Sequence, residues 1–99
     1  MKKQKVATEW IDEKRGPHTL RDIGYKESRT EEYDPGHKPV ILVEYQDSYG
    51  IVNGRHRVMA AKNNNVKNIP AIVLDPEEFD QLEKKYDLDG IENYVCKQI

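Results

Sequence analysis

The chain is predicted to be α/β of the α+β kind, a small mixed β-sheet with helices packed on it, and three observations point there. Val40-Ile41-Leu42-Val43 is a branched apolar run of strand length. Tyr49 to Val52 is a second short apolar segment, which runs through Asn53-Gly54 into a stretch with helical spacing. Ile69 to Leu74 is a third apolar run, followed at once by Asp75-Pro76-Glu77-Glu78, the composition of a helix start. Periodicity and turn chemistry of these kinds separate strands from helices.

Taken in order, Val6 to Ile11 reads as a first strand with Val6, Thr8 and Trp10 on one face, broken by Gly16-Pro17. Leu20 and Ile23, three apart and followed by Gly24, permit a short helix over about His18 to Ile23. Residues 24–38 are polar and end in Asp34-Pro35-Gly36-His37-Lys38, so they read as a loop closing in a turn. Pro39 to Tyr45 is then a core strand, apolar without alternation and so buried on both faces. Gln46-Asp47-Ser48 supplies the turn of a β-hairpin whose second strand is Tyr49 to Val52.

Asn53 is the expected N-cap of a helix from Gly54 to about Asn63, with Val58, Ala61 and Met59 toward the sheet. Asn63-Asn64-Asn65 ends it, because asparagine tolerates the left-handed conformation. In the strand Ile69 to Leu74, Pro70 belongs at the start or along an unpaired edge, since it has no N–H to give a ladder. Asp75 then caps a helix with proline at its first position and an acidic first turn, and Phe79, Leu82 and Tyr86 form its apolar face. A last short helix carries Ile91, Tyr94 and Val95, set off by Asp87-Leu88-Asp89-Gly90.

Ninety-nine residues suit one domain, residues 1–99, with a single core. The formal charge of −2, from 16 basic and 18 acidic residues, supplies no global basic field for sequence-independent DNA binding and leaves only a local basic site. Cys96 is the one cysteine, which excludes an intramolecular disulfide and a thiolate zinc cluster and fits a reducing, cytoplasmic setting. Met1-Lys2-Lys3-Gln4-Lys5 is not followed by an apolar stretch, so export is not expected. No run approaches the roughly 20 apolar residues of a membrane span.

The densest chemistry lies at Asn53-Gly54-Arg55-His56-Arg57. Backbone N–H groups at a helix N-terminus lack intrahelical partners and favour anions, so three basic side chains there stand at the wrong end of the dipole, at ~0.3–1 kcal/mol each. Either a bound polyanion offsets this or neighbouring carboxylates do. Successive side chains rotate by about 100° around a helix, so Arg55 and Arg57 should not both lie on one ligand. One arginine is expected to grip the anion with its planar fork while the other reaches elsewhere, with His56 on the ligand or fixing the turn. The acidic residues Glu27, Glu31, Glu32 and Asp34 are candidates to present a carboxylate to magnesium, or simply a solvated loop. Asp87-Leu88-Asp89-Gly90 lacks the remaining ligands of a calcium loop and reads as a capped turn. His18, His37 and His56 have no metal-type spacing. Trp10 and the tyrosines could stack a base, but most should bury part of their rings.

Order and spacing resemble the ParB/sulfiredoxin-like family over residues 36–74. Gly36-His37-Lys38-Pro39-Val40 is similar to that family's Gly-x-x-Pro-Ile opening. Gly54-Arg55-His56-Arg57-Val58-Met59-Ala60-Ala61 is similar to its Gly-x-x-Arg phosphate-binding motif, and Asn68-Ile69-Pro70-Ala71-Ile72-Val73 to its closing strand. The resemblance implies nucleotide binding, ATP or CTP with Mg2+, with Gly54, Arg55, His56 and Arg57 on the phosphates and Asn53 and His37 nearby. Sulfiredoxins carry a nucleophilic cysteine where this chain has Arg55, so sulfinic-acid reductase activity is not expected. The helix-turn-helix and dimerisation segments of ParB partition proteins are not expected in 99 residues, and the Glu-Asn-rich helix completing their CTP pocket has no clear counterpart.

The function expected from these readings is binding of a nucleotide or phosphorylated small molecule, with NTP-dependent phosphoryl transfer or phosphodiester hydrolysis as the chemistry if it is an enzyme. The alternative is a non-enzymatic regulatory module that meets nucleic acid or an acidic protein. A minimal ParB-like nuclease ranks last, having no metal-ligand cluster in sequence.

Overall fold

In the computed structural model, residues 1–15 and 38–98 are described. Five strands form one mixed sheet in the order β1-β5-β3-β4-β2, where β1 is Lys2–Ala7, β2 Ile11–Asp12, β3 Val40–Glu44, β4 Tyr49–Asn53 and β5 Asn68–Leu74. β3 pairs antiparallel with β4 as the expected hairpin and parallel with β5, while β5 pairs antiparallel with β1 and β4 parallel with β2. Three helices complete the described fold: α1 Arg55–Asn63, α2 Pro76–Glu83 and α3 Leu88–Gln98.

β3 shows why its sequence does not alternate. Val40 and Leu42 join Val6, Ile51, Ile69, Ala71, Val58 and Ala61 in a cluster on the face covered by α1. Ile41 and Val43 join Val52, Ile72, Leu74, Ile91 and Val95 on the other face, covered by α2 and α3. A strand buried on both sides needs apolar side chains at every position. In α1, Val58 and Ala61 are wholly buried and Ala60 nearly so, with Met59 half-buried. The small alanines let the helix axis approach the sheet closely.

The first strand departs from its expected form. β1 stops at Ala7, residues Thr8–Trp10 make a single 3-10 turn, and the chain resumes as β2 at the opposite edge of the sheet. Thr8 is the cause. Its backbone N–H donates to the Lys67 carbonyl and its hydroxyl to the Val66 carbonyl, both at 2.8 Å, which ties the turn to the connection between α1 and β5. Trp10 therefore does not share a buried face with Val6; it is 54% exposed. The expected helix over His18 to Ile23 and the loop after it, to residue 37, lie outside the described residues.

Other local readings hold, except that for Tyr86. Asn64 caps α1 at its C-terminus and Asn65 takes φ of 58°, the left-handed form expected of this run. Pro70 pairs with Lys5 in β1 but precedes the β3 ladder, which begins at Ala71, so its missing donor interrupts no bond there. Asp75 and Glu78 form a reciprocal capping box at α2. Asp87 caps α3 by accepting from the Gly90 N–H at 2.7 Å, the use expected of a capped turn. Tyr86 lies beyond the end of α2 and is exposed; its ring stacks on Tyr94 with centroids 5.5 Å apart instead of entering the core.

Removing the α2 cap by Asp75→Ala should lower stability by ~0.5–2 kcal/mol, the usual range for such caps. Urea denaturation would show a reduced midpoint at unchanged slope, as expected for lost stability without altered compactness.

Candidate functional site

β4 passes into α1 through Gly54, and the local geometry explains the residue type. Gly54 has φ of 101° and ψ of 26°, a left-handed conformation that residues with a Cβ rarely adopt. A Cβ there would also meet Val40 Cγ1 at 2.8 Å and Arg57 Nη2 at 3.1 Å. Just before the turn the hairpin register shifts: Ile41 pairs with Asn53 but Leu42 with Ile51, leaving Val52 as an extra residue on β4. Such a bulge bends a strand and re-aims the chain beyond it.

Gly54, and not Asn53, is the N-cap, and no side chain caps the turn. The expectation for Asn53 fails because the left-handed step at Gly54 separates it from the helix. Its side-chain nitrogen instead donates to the Leu88 carbonyl at 3.3 Å, tying the end of β4 to the start of α3. α1 has no acidic residue in its own first turn and no side-chain cap there.

The two arginines have separate partners, as the helical rotation requires. Arg55 is buried, with 9% exposed, and its Nη1 donates to the Glu13 carbonyl oxygen at 2.6 Å, beyond β2. Arg57 turns the other way, where its Nη1 donates to the Lys38 and Pro39 carbonyls at 2.7 and 3.1 Å, bracing the start of β3. Its Nη2 lies 3.7 Å from Glu92 Oε1 on α3, so one neighbouring carboxylate does reach this arginine. His56 is exposed between them on the first turn. The turn thus unites Gly54, Arg55, His56 and Arg57, with Asn53 beside it but turned to α3. His37 lies outside the described residues, as do Glu27, Glu31, Glu32 and Asp34.

Carbonyl partners orient a guanidinium without cancelling its charge, because a carbonyl carries only a partial negative charge.

Sequence reasoning missed the group that supports Arg55 from below. Lys62, two turns along α1, donates to the Ile11 carbonyl and to Glu13 Oε2, each at 2.6 Å. Burial by itself would push the Glu13 carboxyl up. The Lys62 hydrogen bond, a bond from its own backbone, and the Lys62 and Arg55 charges outweigh it and hold the carboxyl below its ordinary value of 4.5. A basic residue seven positions after Arg55 was the available signal, since i and i+7 share a helix face. Its acidic partner, 49 residues away, carried none.

Among the described residues, no three His, Cys, Asp or Glu side chains converge as a metal site. Nor is any described helix long and apolar enough to cross a membrane.

Fold and site together define a small α+β domain in which a glycine turn delivers a basic, uncapped helix start beside the sheet. The ParB N-terminal domain family matches residues 33–93, and the chain belongs to that family. The match runs past the motif region into α2 and most of α3. Among solved structures, the chain resembles the C-terminally truncated chromosome-partitioning protein ParB from Caulobacter crescentus complexed with CTP-gamma-S. That likeness has 20% identity and a TM-score of 0.58 over 76% of this chain and 45% of that one. It also aligns with the same Caulobacter crescentus protein complexed to the centromeric parS site, at 23% identity and a TM-score of 0.48, over 76% of this chain and 41% of that one. The chain therefore spans less than half the length of these ParB structures, and the likeness is one of fold. No curated protein sequence matches it.

Two testable outcomes arise from this geometry. Gly54→Ala should destabilise the domain by at least ~1–2 kcal/mol from the left-handed backbone alone. In a double-mutant cycle, Val40→Ala should recover the further steric part, and urea melts of the four proteins would measure the coupling. For Glu13, a carboxylate whose folded pKa is depressed contributes stability that is present above pH 4.5 and lost as pH falls through the lower folded value. Glu13→Gln should flatten the stability profile in that acid range, read from denaturation midpoints between neutral pH and pH ~3.

Proposed function

We propose that this domain binds a nucleoside triphosphate, with the phosphates at the turn from Gly54 to Arg57. The observation that carries this reading is the left-handed Gly54 step, which sets an uncapped helix N-terminus beside two arginines anchored through backbone carbonyls. Helix N-terminal N–H groups and the dipole favour phosphate, and the absent Cβ at Gly54 admits it closely. His56, exposed on the same turn, can donate from its ring to a phosphate oxygen. Asn53 and His37 are proposed to flank the nucleotide and not to contact the phosphates through this turn. CTP is the first candidate, because a ParB of the same fold was solved with CTP-gamma-S, and ATP is the second.

The donor set fits a phosphate and not a bare metal. Magnesium, which is bound largely through substrate phosphates and water, would arrive with the nucleotide and supply charge neutralisation there. Arg57 is shared between the turn and Glu92, so phosphate bound here competes with that carboxylate for one guanidinium. If the domain is catalytic, cations aimed at an anionic centre without an evident covalent nucleophile suit phosphoryl transfer or phosphodiester hydrolysis. A nucleic-acid backbone is the second reading, favoured by the same three basic side chains at the turn and opposed by a net charge of −2.

Calorimetry with CTP, ATP, GTP and UTP, with and without magnesium, should find one saturable site at sub-millimolar nucleotide. His56→Ala should weaken it several-fold with the far-ultraviolet circular dichroism of the wild type retained, because His56 is exposed. Absence of binding by the wild type at millimolar nucleotide would end this reading. A log-log salt slope equal to several phosphate contacts on duplex DNA would favour the second.

A further inference from the structure

At the opposite end of β4 from Gly54 lies a cleft of different character. Four residues of strand, at ~3.3 Å each, separate the two ends by roughly 13 Å. The cleft has a volume of about 470 Å3 and is lined by Trp10 and by the hairpin tip from Glu44 to Tyr49. Three of its side chains are aromatic, Trp10, Tyr45 and Tyr49, and two are acidic, Glu44 and Asp47. Trp10 is the most exposed large apolar side chain among the described residues, and burial in the core does not account for its position.

Three of the residues that line the cleft, Tyr45, Asp47 and Ser48, already show the chemistry it suits. The Arg15 guanidinium lies over the Tyr45 ring at 4.9 Å from its centroid. Its Nη1 donates to Asp47 Oδ1 at 2.6 Å and to the Ser48 hydroxyl at 2.8 Å. That hydrogen bond and the Arg15 charge hold the Asp47 carboxyl below its ordinary value, so it stays ionised. Arg15 thus uses Tyr45 and Asp47, while Trp10, Tyr49 and Glu44, which also line the cleft, take no part in these contacts. Aromatic faces and carboxylates attract a guanidinium together, through the ring quadrupole and through its planar donor fork. The same carboxylates repel phosphate, which argues against a nucleic-acid strand despite the stacking surface.

The geometry points to this cleft as a docking site for an arginine side chain carried on a basic segment of a partner protein, with Trp10, Tyr49 and Glu44 receiving the guanidinium and Arg15 as its intramolecular competitor. The charge of the occupant is set by Glu44 and Asp47, and the preference for arginine over lysine by the group that already sits there. The site is independent of the turn at Gly54, which takes a ligand of opposite charge.

Trp10 is the single tryptophan of the chain, so its fluorescence reports occupancy directly. Titration with a short Arg-Gly repeat peptide should give a saturable change at sub-millimolar peptide, weaker with the matching Lys-Gly peptide and absent with Glu-Gly. Glu44→Gln with Asp47→Asn should weaken binding about tenfold, since both carboxylates attract the guanidinium. Arg15→Ala should strengthen it several-fold by vacating Tyr45. All these side chains lie at the surface, and circular dichroism of each variant would verify the fold. No saturable change with the Arg-Gly peptide at millimolar concentration, or an equal response to the Glu-Gly peptide, would overturn the proposal. So would unchanged affinity in the acidic double variant or weaker binding in Arg15→Ala. Arginine amide binding as tightly as the peptide would overturn the protein segment as occupant. Nucleotide binding at Gly54 can fail in calorimetry without altering any of these readings.

Discussion

The passage from β4 into α1 is made by a backbone step that only a residue without a Cβ takes easily, and it is made in contact with Val40 at the head of β3. Because Gly54 can sit there, the chain passes from strand to helix and α1 packs on the sheet. Val58 and Ala61 then reach the face formed by Val40, Leu42, Ile51 and Ala71. The same step sets which way Arg55 and Arg57 leave the helix, the first toward the end of β2 and the second toward the start of β3. Core packing and the position of the cations are therefore consequences of one conformational choice.

That choice explains how three basic residues can persist where a helix dipole opposes them. Carbonyl oxygens of Glu13, Lys38 and Pro39 take guanidinium hydrogens, so hydrogen bonds to the backbone hold the arginines in place. Of the neighbouring carboxylates, Glu13 bonds Lys62 at 2.6 Å and Glu92 pairs with Arg57 at 3.7 Å. Membership of the ParB N-terminal domain family places the turn in a fold shared with a ParB solved with a CTP analogue. The physical features that would serve such a ligand are local and do not depend on the chain's overall charge.

β4 also separates two surfaces of opposite character. Its C-terminal end opens on the basic turn, and its N-terminal end on an aromatic cleft with Glu44 and Asp47. A net charge of −2 conceals this polarity, because a sum over the chain carries no information about placement. Thr8 contributes from a distance. By pinning the 3-10 turn to the residues before β5, it carries Trp10 to the edge where the cleft forms and not into the core.

Local patterns in the sequence were enough for the strand Val40–Glu44 buried on both faces, the hairpin to β4, the helix from Arg55 to Asn63 and the Asp75-Pro76 helix start. Each is encoded by residues within one or two turns of each other, through periodicity, turn chemistry or a cap. That Arg55 and Arg57 leave the helix in different directions was legible for the same reason, since helical rotation is a local property. What the sequence could not disclose was who meets these side chains. Asn53 was a sound cap by composition, yet it gave way to Gly54, because the backbone conformation was set by packing against Val40. The Lys62 to Glu13 pair, the placement of β1 and β2 at opposite edges of the sheet, and the exposure of Trp10 were likewise decided by tertiary structure. Contacts across tens of residues depend on how the sheet is ordered, and strand order leaves no periodic trace in any one segment of the chain.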